Sequence, residues 1–218
     1  MIVTLAQLNF TIGNFRGNLD KMKAAVEDAR RAGSDLVIFS EMSVPGYPPL
    51  DFLDRKEFID KCYAGIEVLR NFSKGIGIIA GAPTYNPQSE GKALYNSAYF
   101  MYDESILATV HKSLLPTYDI FDEYRHFEPN TEFSVIPFKG HRIALTICED
   151  LWDEQPVDFE MGKSRLYTVS PMEELVSQNP DLIINIAASP FAYNRIAGKR
   201  SIFTGKAKKY GIPVLNVN

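Results

Sequence analysis

Only two cysteines, Cys62 and Cys148, occur in the 218 residues. That is too few for a secreted scaffold stapled by disulfides, and a Cys62–Cys148 bridge is not expected. The three histidines, His111, His126 and His141, lie far apart, so the close His or Cys spacing of a zinc site is missing. A protease-like Cys–His pair is open on paper, but each histidine has an ordinary hairpin or surface explanation. Basic residues are not in excess: 23 Lys and Arg face 27 Asp and Glu, for a formal charge of −4. A nucleic-acid surface is therefore not expected. No apolar run exceeds strand length, so no membrane span is expected. The opening residues Met1–Gln7 lack a basic stretch and a long apolar core. No export leader is expected, and the reducing cytoplasm is the expected compartment. Internal repeats, low-complexity tracts, linkers and a P-loop are all missing. Gly75-Ile76-Gly77-Ile78-Ile79-Ala80 matches a dinucleotide fingerprint as a string, but it follows a helix and enters a strand. The fingerprint needs the reverse order, so this stretch reads as a helix end plus a strand.

Hydrophobic residues make up 45% of the chain, enough for one sizeable core, and residues 1–218 read as a single domain. Strands are expected over Ile2–Gln7, Leu36–Phe39, Gly75–Ala80, Leu182–Ile186 and Pro213–Val217. Helical periodicity marks Asn18–Arg31, Phe58–Phe72 and Ile196–Tyr210. Tyr95–Tyr102 with Ile106–His111 reads as a hairpin, as does Phe133–Phe138 with Arg142–Ile147. Helices alternate with strands at both ends and hairpins fill the middle, which predicts an α/β layered sandwich with mixed sheets. The chain stops in the strand-like Val214–Asn218, so a longer parent protein is expected.

Cys148 ends the apolar run Ile143–Ile147 and is followed by Glu149, Asp150, Leu151 and Trp152. A lone cysteine after a strand is more often packing than chemistry. Two further chemical groups share its position, however. Glu41 follows Leu36–Ser40, and Lys112 follows Ile106–His111. If the three strands are neighbours, a carboxylate, an amine and a thiol converge at one edge, within about hydrogen-bonding reach. Glu41 could take the thiol proton and later activate water, while Lys112 stabilises thiolate and oxyanion.

These residues resemble the Glu-Lys-Cys triad of the nitrilase, or carbon–nitrogen hydrolase, superfamily. The stretches Gly46–Asp51, Leu115–Arg125 and Ile147–Trp152 are similar to the glutaminase domain of glutamine-dependent NAD synthetases. So are the opening Leu5–Asn9 with Ile12–Asn14, and Ala188–Phe191. The resemblance runs from end to end. It implies a nitrilase-like α-β-β-α sandwich of two mixed sheets, C-terminally truncated here, that hydrolyses glutamine to glutamate and ammonia through a cysteine thioester. Cys148 would be the nucleophile, Glu41 the base, Lys112 the stabiliser and Glu123 a supporting carboxylate, with Asp122 and Glu128 as nearby alternatives. Tyr118, Ser189 and Arg195 match glutamine-contacting positions, Glu149 would receive the α-ammonium, and Tyr47, Phe121 and Trp152 would line the pocket. No cofactor or metal is implied for this domain. ATP, Mg and deamido-NAD would belong to a C-terminal synthetase domain, and a homo-oligomer is expected. A stand-alone amidase acting on another small amide, and an inactive docking fragment, are the competing readings.

Overall fold

The computed structural model describes residues 1–154, 166–190 and 196–218. The chain opens with β1 (Val3–Leu5), α1 (Phe15–Arg31), β2 (Leu36–Ile38), α2 (Lys56–Asn71) and β3 (Gly77–Tyr85). β4 (Leu94–Tyr102), β5 (Ser105–His111), the one-turn α3 (Glu123–His126), β6 (Ile136–Phe138) and β7 (His141–Ile147) follow. After β7 come a 3-10 turn (Cys148–Trp152), α4 (Pro171–Val176), β8 (Leu182–Ile186), α5 (Ile196–Tyr210) and β9 (Val214–Val217). The strands form two mixed sheets, ordered β1-β2-β3-β4-β5 and β6-β7-β8-β9. β1, β2 and β3 run parallel and β4 and β5 return antiparallel; β7, β8 and β9 are parallel and β6 antiparallel.

Strand alternation explains the layering. On β2, Leu36 and Ile38 face the second sheet, whereas Val37 and the following Phe39 face α1 and α2. On β7, Ile143, Leu145 and Ile147 meet the first sheet, and Ala144 joins an outer layer with Met172 of α4 and Phe203 of α5. Both faces of the central strands are covered, which is why they read as continuous apolar runs rather than alternating ones. The result is the expected α-β-β-α sandwich.

Several boundaries differ from the expectation, for local reasons. α1 starts at Phe15 rather than at Asn18, because Asn14 caps it by accepting from Gly17 N at 3.1 Å. Asn18 instead turns inward and bonds Thr11 and the Val44 carbonyl. β3 runs on to Tyr85, held by its long pairing with β4. Gly75 takes a left-handed turn, with φ of 73°, after the helix and before β3, so no dinucleotide loop forms there. Both cysteines are free. Among the described residues no helix is long and apolar enough to cross a membrane.

Candidate active site

Glu41 is delivered by the loop after β2, and one glycine makes that loop possible. A Cβ on Gly81 of β3 would lie 2.2 Å from the Met42 nitrogen, so only glycine lets the loop lie against the strand. Gly81 N donates to Ser43 Oγ, and its carbonyl accepts from Val44 N. Glu41 is then held at both oxygens. Asn96 Nδ2 donates to Oε1 at 2.7 Å, and the Ala188 N–H donates to Oε2 at 2.9 Å.

Lys112 follows β5 and is wholly buried. Its Nζ lies 2.8 Å from Glu41 Oε1 and 2.7 Å from Glu123 Oε2. Tyr47 OH donates to Glu123 Oε1 at 2.8 Å. Burial opposes the charge on Lys112, but the carboxylates of Glu123 and Glu41 outweigh it and hold the ammonium well above its ordinary value. Burial pushes Glu123 up to about 7, with Lys112 opposing and Glu41 adding to the rise. Glu123 is thus the second carboxylate on the lysine. Asp122 faces Arg125 at the surface, and Glu128 bonds the Lys92 backbone instead.

Cys148 opens the 3-10 turn after β7 with φ of 46°, in the left-handed region rarely used by non-glycine residues. That backbone aims Sγ at the loop after β8, where Ser189 Oγ lies 3.5 Å away. No hydrogen bond joins the thiol to Glu41 or Lys112, so the three-way contact expected from sequence is met only in part. Burial, and then the Glu41 charge, push the thiol up, while Lys112 pulls it down. The strands are not neighbours either: β3 and β4 separate β2 from β5, and β7 belongs to the other sheet. The groups converge across two facing sheets, not along one edge.

A cleft of about 380 Å³ opens beside them, lined by Phe10, Glu41, Tyr47, Ile120, Ser189 and Asn218 among others. Cys148 is 4% exposed, belongs to the inter-sheet core and reaches Ser189, a residue of the cleft wall. Ser189 is pinned by Asn218, whose amide accepts from Ser189 N at 2.7 Å and donates to its carbonyl at 3.1 Å. Glu149 accepts from Tyr118 OH at 2.6 Å and from Tyr167 OH at 2.9 Å. Burial raises both tyrosines, and the Glu149 charge adds to it, so both stay protonated donors. Phe121 meets the Tyr118 ring edge-on at 5.8 Å.

Trp152, expected to line the pocket, packs edge-on to Phe203 of α5 against the outer helical layer and is not among the residues lining this cleft. Arg195 lies outside the described residues. Asn96, Tyr167 and Asn218 were missed from sequence. Asn96 did leave a signal, an amide side chain in the largely apolar and aromatic β4.

Facing mixed sheets gather a buried thiol, an amine and two carboxylates beside one cleft, an arrangement suited to a hydrolase. Residues 2–187 match the carbon-nitrogen hydrolase family, and the chain belongs to that family. It is 34% identical to a glutamine-dependent NAD(+) synthetase of Synechocystis over 99% of its own length and 39% of the relative's. A glutamine-dependent NAD(+) synthetase of Thermotoga maritima is 32% identical, covering 99% of this chain and 35% of that one. The chain therefore spans less than two fifths of these relatives. Its fold matches the structure of a glutamine-dependent NAD+ synthetase from Acinetobacter baumannii in complex with ADP. That match has a TM-score of 0.85 and 28% identity, and covers 99% of this chain and 38% of that one. An amidase from Nesterenkonia, at 19% identity and a TM-score of 0.80, shares the fold.

Proposed function

We propose that this chain is the glutamine-hydrolysing domain of a glutamine-dependent NAD synthetase. The observation that carries the reading is the buried Glu41–Lys112–Glu123 cluster acting electrostatically on Cys148. A thiol pushed up by burial cannot attack unaided, so it needs a base in place. Glu41 takes the Sγ proton as sulfur adds to the side-chain amide carbon of glutamine. The resulting oxyanion is stabilised by the Lys112 ammonium, a contribution of about 3–4 kcal/mol in a water-excluded site. The C–N bond breaks, the proton passes from Glu41 to the departing nitrogen, and ammonia leaves. Glu41 then deprotonates water, which cleaves the thioester to glutamate and restores the thiol. Glu123 keeps Lys112 charged throughout.

Glu149, with its carboxylate oriented by two tyrosine hydroxyls, receives the α-ammonium of glutamine. Ser189 and Tyr118 border the substrate, and Arg195 reads its α-carboxylate. ATP, Mg and deamido-NAD are assigned to a C-terminal synthetase domain of the parent protein, and no residue of this chain is assigned to them. The greater length of the relatives supports that division. The two free thiols fit a reducing, cytoplasmic setting. A homo-oligomer remains part of the proposal.

The test is ammonia release from glutamine by the full-length protein and by Cys148→Ala. Activity in the first and loss in the second is expected. Full activity in Cys148→Ala would overturn the mechanism. Equal turnover of glutamine and propionamide would point to a general amidase instead.

A further inference from the structure

The side chain of Asp150 crosses between the two sheets, and nothing in the reaction just described uses it. It sits two residues past Cys148, is 3% exposed, and accepts three backbone hydrogen bonds. Oδ1 lies 2.9 Å from both Ser113 N and Leu114 N, the two residues after Lys112. Oδ2 lies 3.1 Å from Ile147 N, the residue before Cys148. One carboxylate therefore ties the end of β5, in the first sheet, to the end of β7, in the second. Other bonds fix each end within its own sheet. Lys112 N donates to the Asn96 carbonyl of β4, and Asn185 Nδ2 of β8 donates to the Cys148 carbonyl at 3.3 Å. Asp150 is thus bonded to the backbone on both sides of the inter-sheet gap, next to Lys112 and next to Cys148.

We propose that Asp150 is a positioning residue that locks the Lys112 backbone to the Cys148 turn and so sets the spacing between the stabilising charge and the thiol. The chemistry requires a carboxylate there. All three partners are donors, and only an ionised carboxylate accepts from all three without presenting a hydrogen of its own. An amide of the same shape would aim an N–H at an N–H on at least one side. Burial pushes Asp150 up to about 7 against the pull of its backbone partners and Lys112, a sign of how fully it is withdrawn from water. The left-handed backbone at Cys148 adds a reason for a restraint, since a strained turn persists only where its surroundings over-determine it. An error of about 1 Å in such a site is enough to lower turnover by about a hundredfold.

This inference rests on Cys148 as the nucleophile, so its test reads the thiol directly as well as turnover. In the full-length protein, Asp150→Asn is compared with wild type in three ways: alkylation of Cys148 by iodoacetamide across pH, followed by mass at the Cys148 peptide; kcat and KM for glutamine; and thermal unfolding. Cys148 faces Glu41, Lys112, Glu123 and Ser189, all unchanged in the variant. The tie predicts alkylation slowed at least about tenfold with its pH profile moved to higher pH, and kcat reduced by a similar factor. KM should stay within about threefold, as a placement defect requires. A folded Asp150→Asn protein with wild-type alkylation overturns the proposal, whatever its kcat. If that variant does not fold, an ester in place of the Leu114 amide removes one N–H and no side chain. It should slow alkylation about threefold or more, and an unchanged rate there overturns the proposal equally. Failure of wild type to hydrolyse glutamine would refute the assigned substrate while leaving the alkylation comparison intact.

Discussion

Two buried lysines, each with two carboxylates, make an instructive pair. Lys112 lies between Glu41 and Glu123; Lys206 of α5 lies between Asp153 and Glu154, and Asp153 also takes the Ser170 hydroxyl. Both ammonium groups are almost wholly withdrawn from water. In isolation either cluster would pass for a catalytic centre. What separates them is the company they keep. Beside Lys112 stand a thiol and a cleft with a pinned serine. Beside Lys206 stand Lys209, which shares Glu154, and the ring of Tyr210. The second cluster bolts α5 to the stretch following the Cys148 turn, and among the described residues no thiol joins it. A buried ion pair is weak evidence of function until a reactive group and an opening share its surroundings.

The largest expected effect separates the two clusters directly. Lys112→Met should abolish glutamine hydrolysis and destabilise the fold by about 3–5 kcal/mol, since it leaves two buried carboxylates without their cation. Lys206→Met should destabilise by about 3 kcal/mol for the same reason, yet leave kcat within about threefold. Denaturant titration alongside steady-state kinetics checks both, and equal kinetic losses would erase the distinction drawn here.

Next in size is Glu123→Gln, expected to lower kcat about 10–100-fold by removing one counter-charge from Lys112. Its pH profile carries a sign. Burial places Glu123 near 7, so acidification through that range protonates it and leaves the ammonium with Glu41 alone. Wild-type kcat should therefore fall as pH drops through about 7, and the Gln variant should lose that part of the limb. Burial pushes Asp150 up to about the same range, so part of the limb should survive in Glu123→Gln.

Smaller again, Tyr47→Phe removes the hydroxyl donated to Glu123 and should cost about 0.5–1.5 kcal/mol of stability, read by chemical denaturation. The smallest effect is Tyr167→Phe. One of the two hydroxyls on Glu149 is lost, so KM for glutamine should rise a few-fold with kcat nearly unchanged. A fall in kcat alone would instead place Tyr167 with the reacting groups.

Much of this was legible along the chain, and the exceptions have physical causes. Glu41, Lys112 and Cys148 could be found because each follows an apolar strand, a local pattern. Trp152 could not be placed, because its direction depends on the turn that follows Cys148, where neighbouring residues diverge within a single step. Asp150 sat in plain sight as one more acidic residue, since its three partners are backbone groups on two different sheets and leave no mark in composition. Asn18 read as the start of a helix because the apolar periodicity begins beside it, whereas the helix starts earlier at the Asn14 cap and Asn18 is buried against Thr11 and Val44.

By itself the sequence determined the elements and the apolar strands of a layered sandwich with mixed sheets, because strand and helix periodicities are carried by near neighbours. It also picked out the three strand ends that carry Glu41, Lys112 and Cys148. Only the tertiary structure decided that those ends meet across two sheets rather than along one, that Glu123 and not Asp122 or Glu128 reaches the lysine, and that Cys148 turns toward Ser189. Those outcomes depend on how one packed sheet registers against the other. That register is set by the inter-sheet core, built around Ile38, Phe100, Leu145 and Ile184, and by the backbone bonds of Asp150. No stretch of sequence contains both sides of that contact.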